Sequence, residues 1–192
     1  MFSSFLLVFL TFVSLTFVCS CSLITSTPFR DHVKQSSPDL IQSICSQTQN
    51  PAYCQQLLQP LYRPGESLRD LGQSAFFSVS KLVFFTYDEI HIREVKTVTD
   101  PVLNKIYHKC GALYTAAINA LDKAKGFLKS GDFQKLPNLV SLALNQPALC
   151  DSSFTPPTVE PADFKNLNNE ARDACSVILA ISNRLVSGKK NL

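Results

Sequence analysis

The chain has 192 residues, 45% of them hydrophobic, which is enough for one ordinary core and does not require a second globular domain. Its formal net charge is +3, and the basic residues are scattered among acidic ones, without a basic stripe or interleaved aromatic side chains. Length and charge therefore predict a single domain and exclude nucleic acid as an expected partner.

The first element, residues 1–21, is predicted to be a secretory signal peptide. An almost unbroken apolar run covers residues 5–18, contains no charged residue and is followed by small residues. Because the run is short for a bilayer span, we expect cleavage near Cys21 or Ser22 and no stable membrane association afterwards. The usual basic residue is missing from the start, so an uncleaved membrane anchor is the alternative. Residues 22–36 follow as an N-terminal segment.

Removal of the signal peptide would leave five of the seven cysteines, in an oxidising compartment. These five are Cys45, Cys54, Cys110, Cys150 and Cys175. Two disulfides and one free thiol are therefore expected. The sequence has no Asn-x-Ser/Thr sequon, so no N-linked sugar is predicted.

Two short helices are predicted to open the folded domain. Pro38 and Pro51 each follow a residue that can cap a helix, and proline suits the first helical position. Apolar residues come after each proline at helical spacing, so the two helices should face each other in a hairpin. Cys45 and Cys54 lie on either side of the turn between them, where a disulfide would join the hairpin.

A long helix is predicted to begin near Ser67, with Asp70 three residues further on as the second half of a weak capping box. Apolar residues continue at helical spacing as far as Val83. The far end is ambiguous because residues 90–92 alternate and residues 95–99 are rich in β-branched side chains. A short strand or an irregular exit is the alternative there.

Three further amphipathic helices complete the pattern. One starts at Pro101 and ends before Gly131, a shorter one lies near residues 136–143, and the last runs from Pro161 towards Gly188. Cys150 and a proline-rich loop are expected after the shorter helix. Four long helices preceded by a hairpin predict an all-α fold, an antiparallel up-and-down four-helix bundle. This domain would span residues 37–188, with a short tail at 189–192.

The bundle topology restricts how the cysteines can pair. Four cysteines allow three pairings, but only Cys45–Cys54 together with Cys110–Cys150 lets each bond join neighbouring elements of an up-and-down bundle. Cys175 would then be the free thiol. Its position beside Ala174 in the last helix predicts a half-buried, unreactive side chain, with a redox or intermolecular role as the alternative.

Four segments together resemble the plant invertase and pectin methylesterase inhibitor family. They are residues 45–54 (CSQTQNPAYC), 109–114 (KCGALY), 139–150 (LVSLALNQPALC) and 181–185 (ISNRL). The resemblance covers about residues 38–186 and implies a secreted protein that blocks a carbohydrate-active enzyme in a reversible one-to-one complex. It implies localisation in the cell wall (apoplast), with the vacuole as the alternative. Pro137 departs from the pattern, because proline should kink or delay the helix that it opens.

No catalytic or metal-binding pattern is present. The three histidines do not share a ligand spacing, no serine lies in a glycine-flanked elbow, and no glycine-rich loop could hold a phosphate. His108 and Cys110 are two residues apart on a helix and point in different directions, so they cannot act as a nucleophile and its base. We therefore predict no enzyme activity, no metal and no cofactor.

Aromatic side chains offer a second class of function. Phe76, Phe77, Phe84 and Phe85 could line a groove for an apolar ligand or a partner helix, which would make the protein a secreted binding module. Core packing of the long helix is the simpler explanation for these residues. The five tyrosines could anchor a partner, but the simpler expectation places them at the edges of the bundle.

The segment between the second and third long helices bears on the choice of target. In invertase inhibitors of the family, the residues after the matching Gly-Asp read Pro-Lys-Phe, and that triplet reaches into the sucrose site. Here the positions are Phe133, Gln134 and Lys135, which we take as the candidate partner-binding residues. The cation is displaced by one residue, about 100° around a helix, so it could not meet the same carboxylates. The resemblance thus predicts pectin methylesterase as the partner, with acid invertase as the alternative.

Overall fold

The structure, a computed structural model, describes residues 37–189, and in this part of the chain it contains helices and no β-strand. The helices are α1 (Ser37–Cys45), α2 (Pro51–Leu58), α3 (Leu68–Lys96), α4 (Pro101–Ser130), α5 (Leu136–Asp151) and α6 (Ala162–Lys189), with a 3₁₀ turn at Phe133–Lys135. The predicted signal peptide and N-terminal segment lie outside the described residues. Within 37–189, none of the helices is long and apolar enough to cross a membrane.

Helices α3 to α6 form an up-and-down bundle in which sequence neighbours are also spatial neighbours. α3 packs on α4, α4 on α5, α5 on α6, and α6 closes the bundle against α3. The facing sides carry the apolar residues that recur every three or four positions, and these form one continuous core. The predicted all-α four-helix bundle with an N-terminal hairpin is confirmed.

The α1–α2 hairpin is held both locally and against the bundle. Asn50 caps α2, since its side chain accepts a hydrogen bond from the backbone N–H of Tyr53. Cys45 is bonded to Cys54, and the two Cα atoms are 5.4 Å apart. The Asn50 amide also donates to the Asp173 carboxylate on α6 at 2.7 Å. The hairpin therefore lies along α6, and α2 also touches α3.

Helix α3 has no strand at its end, so that alternative was wrong. Ser67 and Asp70 form the capping box at its start, and the helix runs unbroken to Lys96. Ile90 is fully buried in the core, and Arg93 pairs with Asp163 of α6 at 2.6 Å. These tertiary contacts outweigh the β propensity of residues 90–96 and keep the segment helical.

Helix α5 is longer than its periodicity indicated. Pro137 lies in its first turn, where the missing backbone donor costs nothing, and the preceding residues form the 3₁₀ turn, as expected for a delayed start. The helix then continues through Pro147 to Asp151, so Cys150 lies in its last turn and not beyond it. The buried Cys110–Cys150 bond, with Cα atoms 4.9 Å apart, fastens this last turn to α4.

Cys175 is completely buried, which corrects the expectation of a half-buried side chain. The α1–α2 hairpin covers the side of α6 that would otherwise face solvent, and the sequence periodicity of α6 alone gives no sign of this cover. Burial raises the pKa of the Cys175 thiol to about 12, because the thiolate would be poorly solvated.

We accordingly expect Cys175 to react with a thiol reagent only on opening of the fold. The thiolate is the reacting species, and both its low population and its burial suppress the reaction. Ellman's reagent should label the native protein far more slowly than the urea-unfolded protein, which serves as the control. Rapid stoichiometric labelling under native conditions would contradict the burial of this thiol.

Candidate functional site: the corner between helices α4 and α5

The corner comprises residues 131–135, which join α4 to α5. Gly131 adopts a left-handed conformation, φ 81°, that residues with a Cβ seldom adopt. Its N–H donates to the Leu128 carbonyl at 3.3 Å, and the N–H of Asp132 donates to the Phe127 carbonyl at 3.0 Å. This pair of bonds is a Schellman motif, which ends α4 and turns the chain sharply towards the next helix.

The Phe133 side chain packs against the protein itself and is only partly exposed to a binding partner. It is half-buried and contacts the edge of the core. The Arg69 guanidinium lies 6.0 Å from the centre of its ring, and Arg69 also donates to the Lys129 carbonyl at the end of α4. Arg69 thus ties the start of α3 to this corner, a contact that sequence reasoning did not identify.

Gln134 and Lys135 are the exposed members of the candidate triplet. The Lys135 ammonium lies 3.0 Å from the Asp132 carboxylate and 4.5 Å from the centre of the Phe127 ring. Because the three candidate residues form a 3₁₀ turn, successive side chains are rotated by about 120° and not by the 100° of an α-helix. The three side chains therefore point in different directions. The Lys135 ammonium contacts Asp132 of the corner and the Phe127 ring of α4.

Histidines and carboxylates do not form a catalytic or metal centre in the described part of the chain. The structure brings His91 and His108 to one carboxylate, since their Nδ1 atoms lie 3.3 and 2.8 Å from the oxygens of Glu94. Both histidines are exposed, and no group of three His, Cys, Asp or Glu side chains in residues 37–189 could hold a metal ion.

A buried polar cluster lies at the other end of α5, and sequence reasoning missed it. Tyr114 on α4 is fully buried and donates from its hydroxyl to Asn168 Oδ1 on α6 at 2.7 Å. The amide of Asn168 donates its two hydrogens to Asp151 and, at 2.9 Å, to Glu160. The only signal in the sequence was a polar Asn at a position of α6 that its helical spacing assigns to the core. Tyr114 is thus a core residue and not a bundle-edge residue.

The cluster brings two carboxyl groups together at the α5–α6 connection. Partial burial raises the pKa of Glu160 from its usual 4.5 to about 7, and a hydrogen bond with Asp151 and the Asp151 charge add to the effect. The Asn168 amide and Lys165 act in the opposite direction. Native protein therefore keeps a proton on Glu160 between about pH 4.5 and 7, whereas the unfolded chain loses it.

Substitution Glu160→Gln is expected to change stability in a pH-dependent manner. A raised native pKa stabilises the fold below pH 4.5, and this contribution is lost as pH rises through 7. Glutamine keeps a donor for Asp151 at every pH, so the variant should match the natural protein near pH 5. At pH 8 it should be more stable by about 1 kcal/mol, a figure reduced for solvent screening. Urea unfolding at both pH values measures the difference, and a gain equal at both would contradict the raised pKa.

Comparison with known proteins shows that the chain is similar to members of one family. Residues 39–181 match the family described as plant invertase/pectin methylesterase inhibitor. The chain is 32% identical over 151 residues to a pectinesterase inhibitor from Actinidia deliciosa, covering 78% of this chain and 81% of the relative. It is 30% identical over 146 residues to pectinesterase inhibitor 2 from Arabidopsis thaliana, covering 76% and 83% respectively.

Two solved structures have a similar fold. A mutant form of a pectin methylesterase inhibitor from Arabidopsis is 24% identical with a TM-score of 0.66, covering 74% of this chain and 95% of that one. A pectin methylesterase inhibitor from Arabidopsis thaliana is 25% identical with a TM-score of 0.59, covering 78% and 97%.

Proposed function

Because the chain belongs to the plant invertase and pectin methylesterase inhibitor family, we propose that it inhibits a plant pectin methylesterase by covering the enzyme's substrate cleft in a reversible one-to-one complex. The observation that carries this proposal is its similarity, over more than three quarters of its length, to two pectinesterase inhibitors. The protein acts as an inhibitor and not as an enzyme.

The mechanism is steric, and the construction of the bundle supports it. Two fully buried disulfides and a continuous apolar core hold the helix surfaces in place before any partner arrives. A preformed surface loses little conformational entropy on docking, so more of the contact energy is available for affinity. No step requires a reacting group on the inhibitor.

The geometry of the corner supports the esterase over an acid invertase as the target. The lysine that follows Gly-Asp stands one position later than in the invertase inhibitors, and here its ammonium is paired with Asp132 at 3.0 Å. Gln134 carries no charge at the position where those inhibitors have their cation. A missing charge partner in a buried interface costs about 2–5 kcal/mol, so binding to invertase should be weaker by roughly thirtyfold to several thousandfold.

Steady-state inhibition assays test this target choice. At equal inhibitor concentration, we expect a plant pectin methylesterase to be inhibited and an acid invertase to retain nearly all its activity. Gel filtration of inhibitor with esterase should show a one-to-one complex. An invertase blocked at nanomolar inhibitor while the esterase continued unaffected would overturn the assignment.

A matched pair of charge substitutions tests whether the corner touches the target. Gln134→Glu would place an unpaired charge in the interface and should weaken inhibition of the esterase by at least roughly tenfold. Gln47→Glu makes the same change at an exposed site on the α1–α2 hairpin and should leave inhibition unchanged. Equal inhibition by the two variants would place the contact elsewhere on the bundle.

Inhibition of a cell-wall esterase requires that the protein be secreted. The predicted signal peptide at residues 1–21 and the disulfides support secretion into the cell wall, where disulfides persist. The vacuole is the alternative destination. A fluorescent fusion to the C-terminus of the full-length sequence should be found in the apoplast, and retention in the vacuole would favour the alternative.

A further inference from the structure

An apolar groove runs along the outside of the bundle between α3 and α4, and no residue of the corner (131–135) lines it. Its volume is about 490 Å³, and its floor includes Ile118 and Leu121 of α4. Three phenylalanines of α3 line it, and their side chains are unusually exposed: Phe77 by 64%, Phe84 by 53% and Phe85 by 52%. Of the two phenylalanine pairs on α3, only Phe76 is a core residue, so core packing does not account for the other three.

Exposure of this kind on a secreted protein indicates a contact surface. A phenylalanine side chain can bury about 150–250 Å², so the exposed parts of the three rings present about 300 Å² of aromatic surface. The largest apolar patch on a typical monomer covers about 300–600 Å² and is often functional, so this one is at the low end of that range. Ile92 and Val95 are also exposed, by 44% and 73%, and helical spacing places them on the same side of α3 as Phe77. We call this side of the helix the α3 stripe; it comprises Phe77, Lys81, Phe84, Phe85, Asp88, Ile92 and Val95.

The order of residues along this stripe is self-complementary. Lys81 and Asp88 lie at equal distances before and after the Phe84–Phe85 pair, and so do Phe77 and Ile92. If two copies of α3 cross antiparallel about a two-fold axis at that pair, each Lys81 faces Asp88 of the second copy. Each Phe77 then faces Ile92, and the four central phenylalanines pack together. The pattern gives Lys81 a partner of opposite sign and Phe77 an apolar partner, whereas Val95 would face Ser74.

The charges on the stripe are available for such pairing. Neither Lys81 nor Asp88 forms an ion pair with another residue in the range 37–189. Both side chains border the groove. The other two charges beside it, Asp122 and Lys125, already pair with each other at 2.7 Å. The Lys81 ammonium lies 5.7 Å from the centre of the Phe77 ring. Lys81 and Asp88, whose positions are related by the two-fold axis, are thus the charges beside the groove without an ion-pair partner among residues 37–189.

We propose that the α3 stripe is a homodimer interface, in which a second copy of this chain docks antiparallel with Phe84 and Phe85 at the axis and Lys81 opposite Asp88. The interface is small and partly polar, so the dimer is a reversible one. None of the residues that line the groove belongs to the α4–α5 corner.

Sedimentation velocity over a concentration series tests the interface, with the full-length sequence expressed through a eukaryotic secretory pathway. The natural protein should pass from monomer to dimer as its concentration rises to about 0.5 mM. Phe84→Glu places two like charges at the axis and should abolish the dimer. Val159→Glu, at a site 81% exposed in the loop before α6, is the matched control and should dimerise normally.

Exchange of the two charges distinguishes the antiparallel dimer from binding of a different partner in the groove. Lys81→Asp and Asp88→Lys should each weaken dimerisation at least tenfold, because each creates two like-charged pairs across the axis. The double variant should recover the affinity of the natural protein to within about threefold. Circular dichroism should show that all variants are folded. Phe84→Glu should leave inhibition of pectin methylesterase unchanged, so a loss of the dimer and a loss of the proposed function can be told apart.

Four results would overturn the dimer. They are a natural protein that stays monomeric, a Phe84→Glu variant that dimerises as tightly as the natural protein, single charge variants with no effect, and a double variant that remains as weak as the single ones. A monomeric protein whose groove takes up a fluorescent fatty acid, with uptake lost in Phe84→Glu, would instead identify an apolar-ligand site.

Discussion

Replacement of Cys110 by serine is expected to lower the free energy of unfolding by about 4 kcal/mol, whereas Cys45→Ser should lower it by about 2.5 kcal/mol. The Cys110–Cys150 bond closes a loop of 40 residues and the Cys45–Cys54 bond one of 9. A longer loop restricts the unfolded chain more, so its loss releases more conformational entropy. All four sulfurs belong to fully buried side chains, so burial does not separate the two variants.

Urea unfolding at a single pH compares the two variants. Alanine in place of the same cysteines provides a control for the buried hydroxyl that serine introduces. Since Cys110–Cys150 joins α4 to the last turn of α5, its loss should also free that turn and the loop beyond it. Equal losses, or a larger loss for Cys45→Ser, would contradict the loop-length ordering.

Asn168→Ala is expected to destabilise the protein by about 3 kcal/mol, although the side chain is polar and lies far from the candidate interface. Asn168 is completely buried and is bonded to Tyr114 on α4, to Asp151 at the end of α5 and to Glu160 in the loop before α6. Its removal leaves the buried Tyr114 hydroxyl without an acceptor and two carboxyl groups without their shared donor. An orphaned buried polar group bears the full cost of its desolvation.

Thermal or urea unfolding measures this loss, with Asn166→Ala as the control at an exposed position two residues away on α6. The control should change stability by less than about 0.5 kcal/mol. Tyr114→Phe removes only the hydroxyl and should cost less than Asn168→Ala. An Asn168→Ala variant as stable as the Asn166→Ala variant would show that the cluster contributes nothing.

Local signals in the sequence were enough to predict the helices and their order. Prolines after capping residues mark the starts of α2 and α4, Gly131 marks the end of α4, and apolar spacing identifies the core side of each long helix. These signals act within a few residues, so they can be read without knowledge of the fold. The family resemblance also rests on short segments around the cysteines, and it predicted the class of protein that the comparisons support.

Features that depend on a second element could not be predicted in this manner. Residues 90–96 are helical because Ile90 and Arg93 make contacts with the rest of the bundle, and Cys175 is fully buried because the hairpin covers its helix. The Tyr114–Asn168 cluster joins residues 54 positions apart. The exposure of Phe77, Phe84 and Phe85 follows from which side of α3 faces the core.

The sequence by itself determined the all-α class, where the helices begin and the set of cysteines available for pairing, because each follows from local propensity or composition. The tertiary structure alone decided which polar groups are buried, which aromatic rings are exposed and how the candidate triplet is presented. At the corner, the 3₁₀ turn, the Arg69 contact and the Asp132–Lys135 pair set the directions of Phe133, Gln134 and Lys135. Side-chain direction depends on contacts between distant parts of the chain, and these form only when the bundle closes.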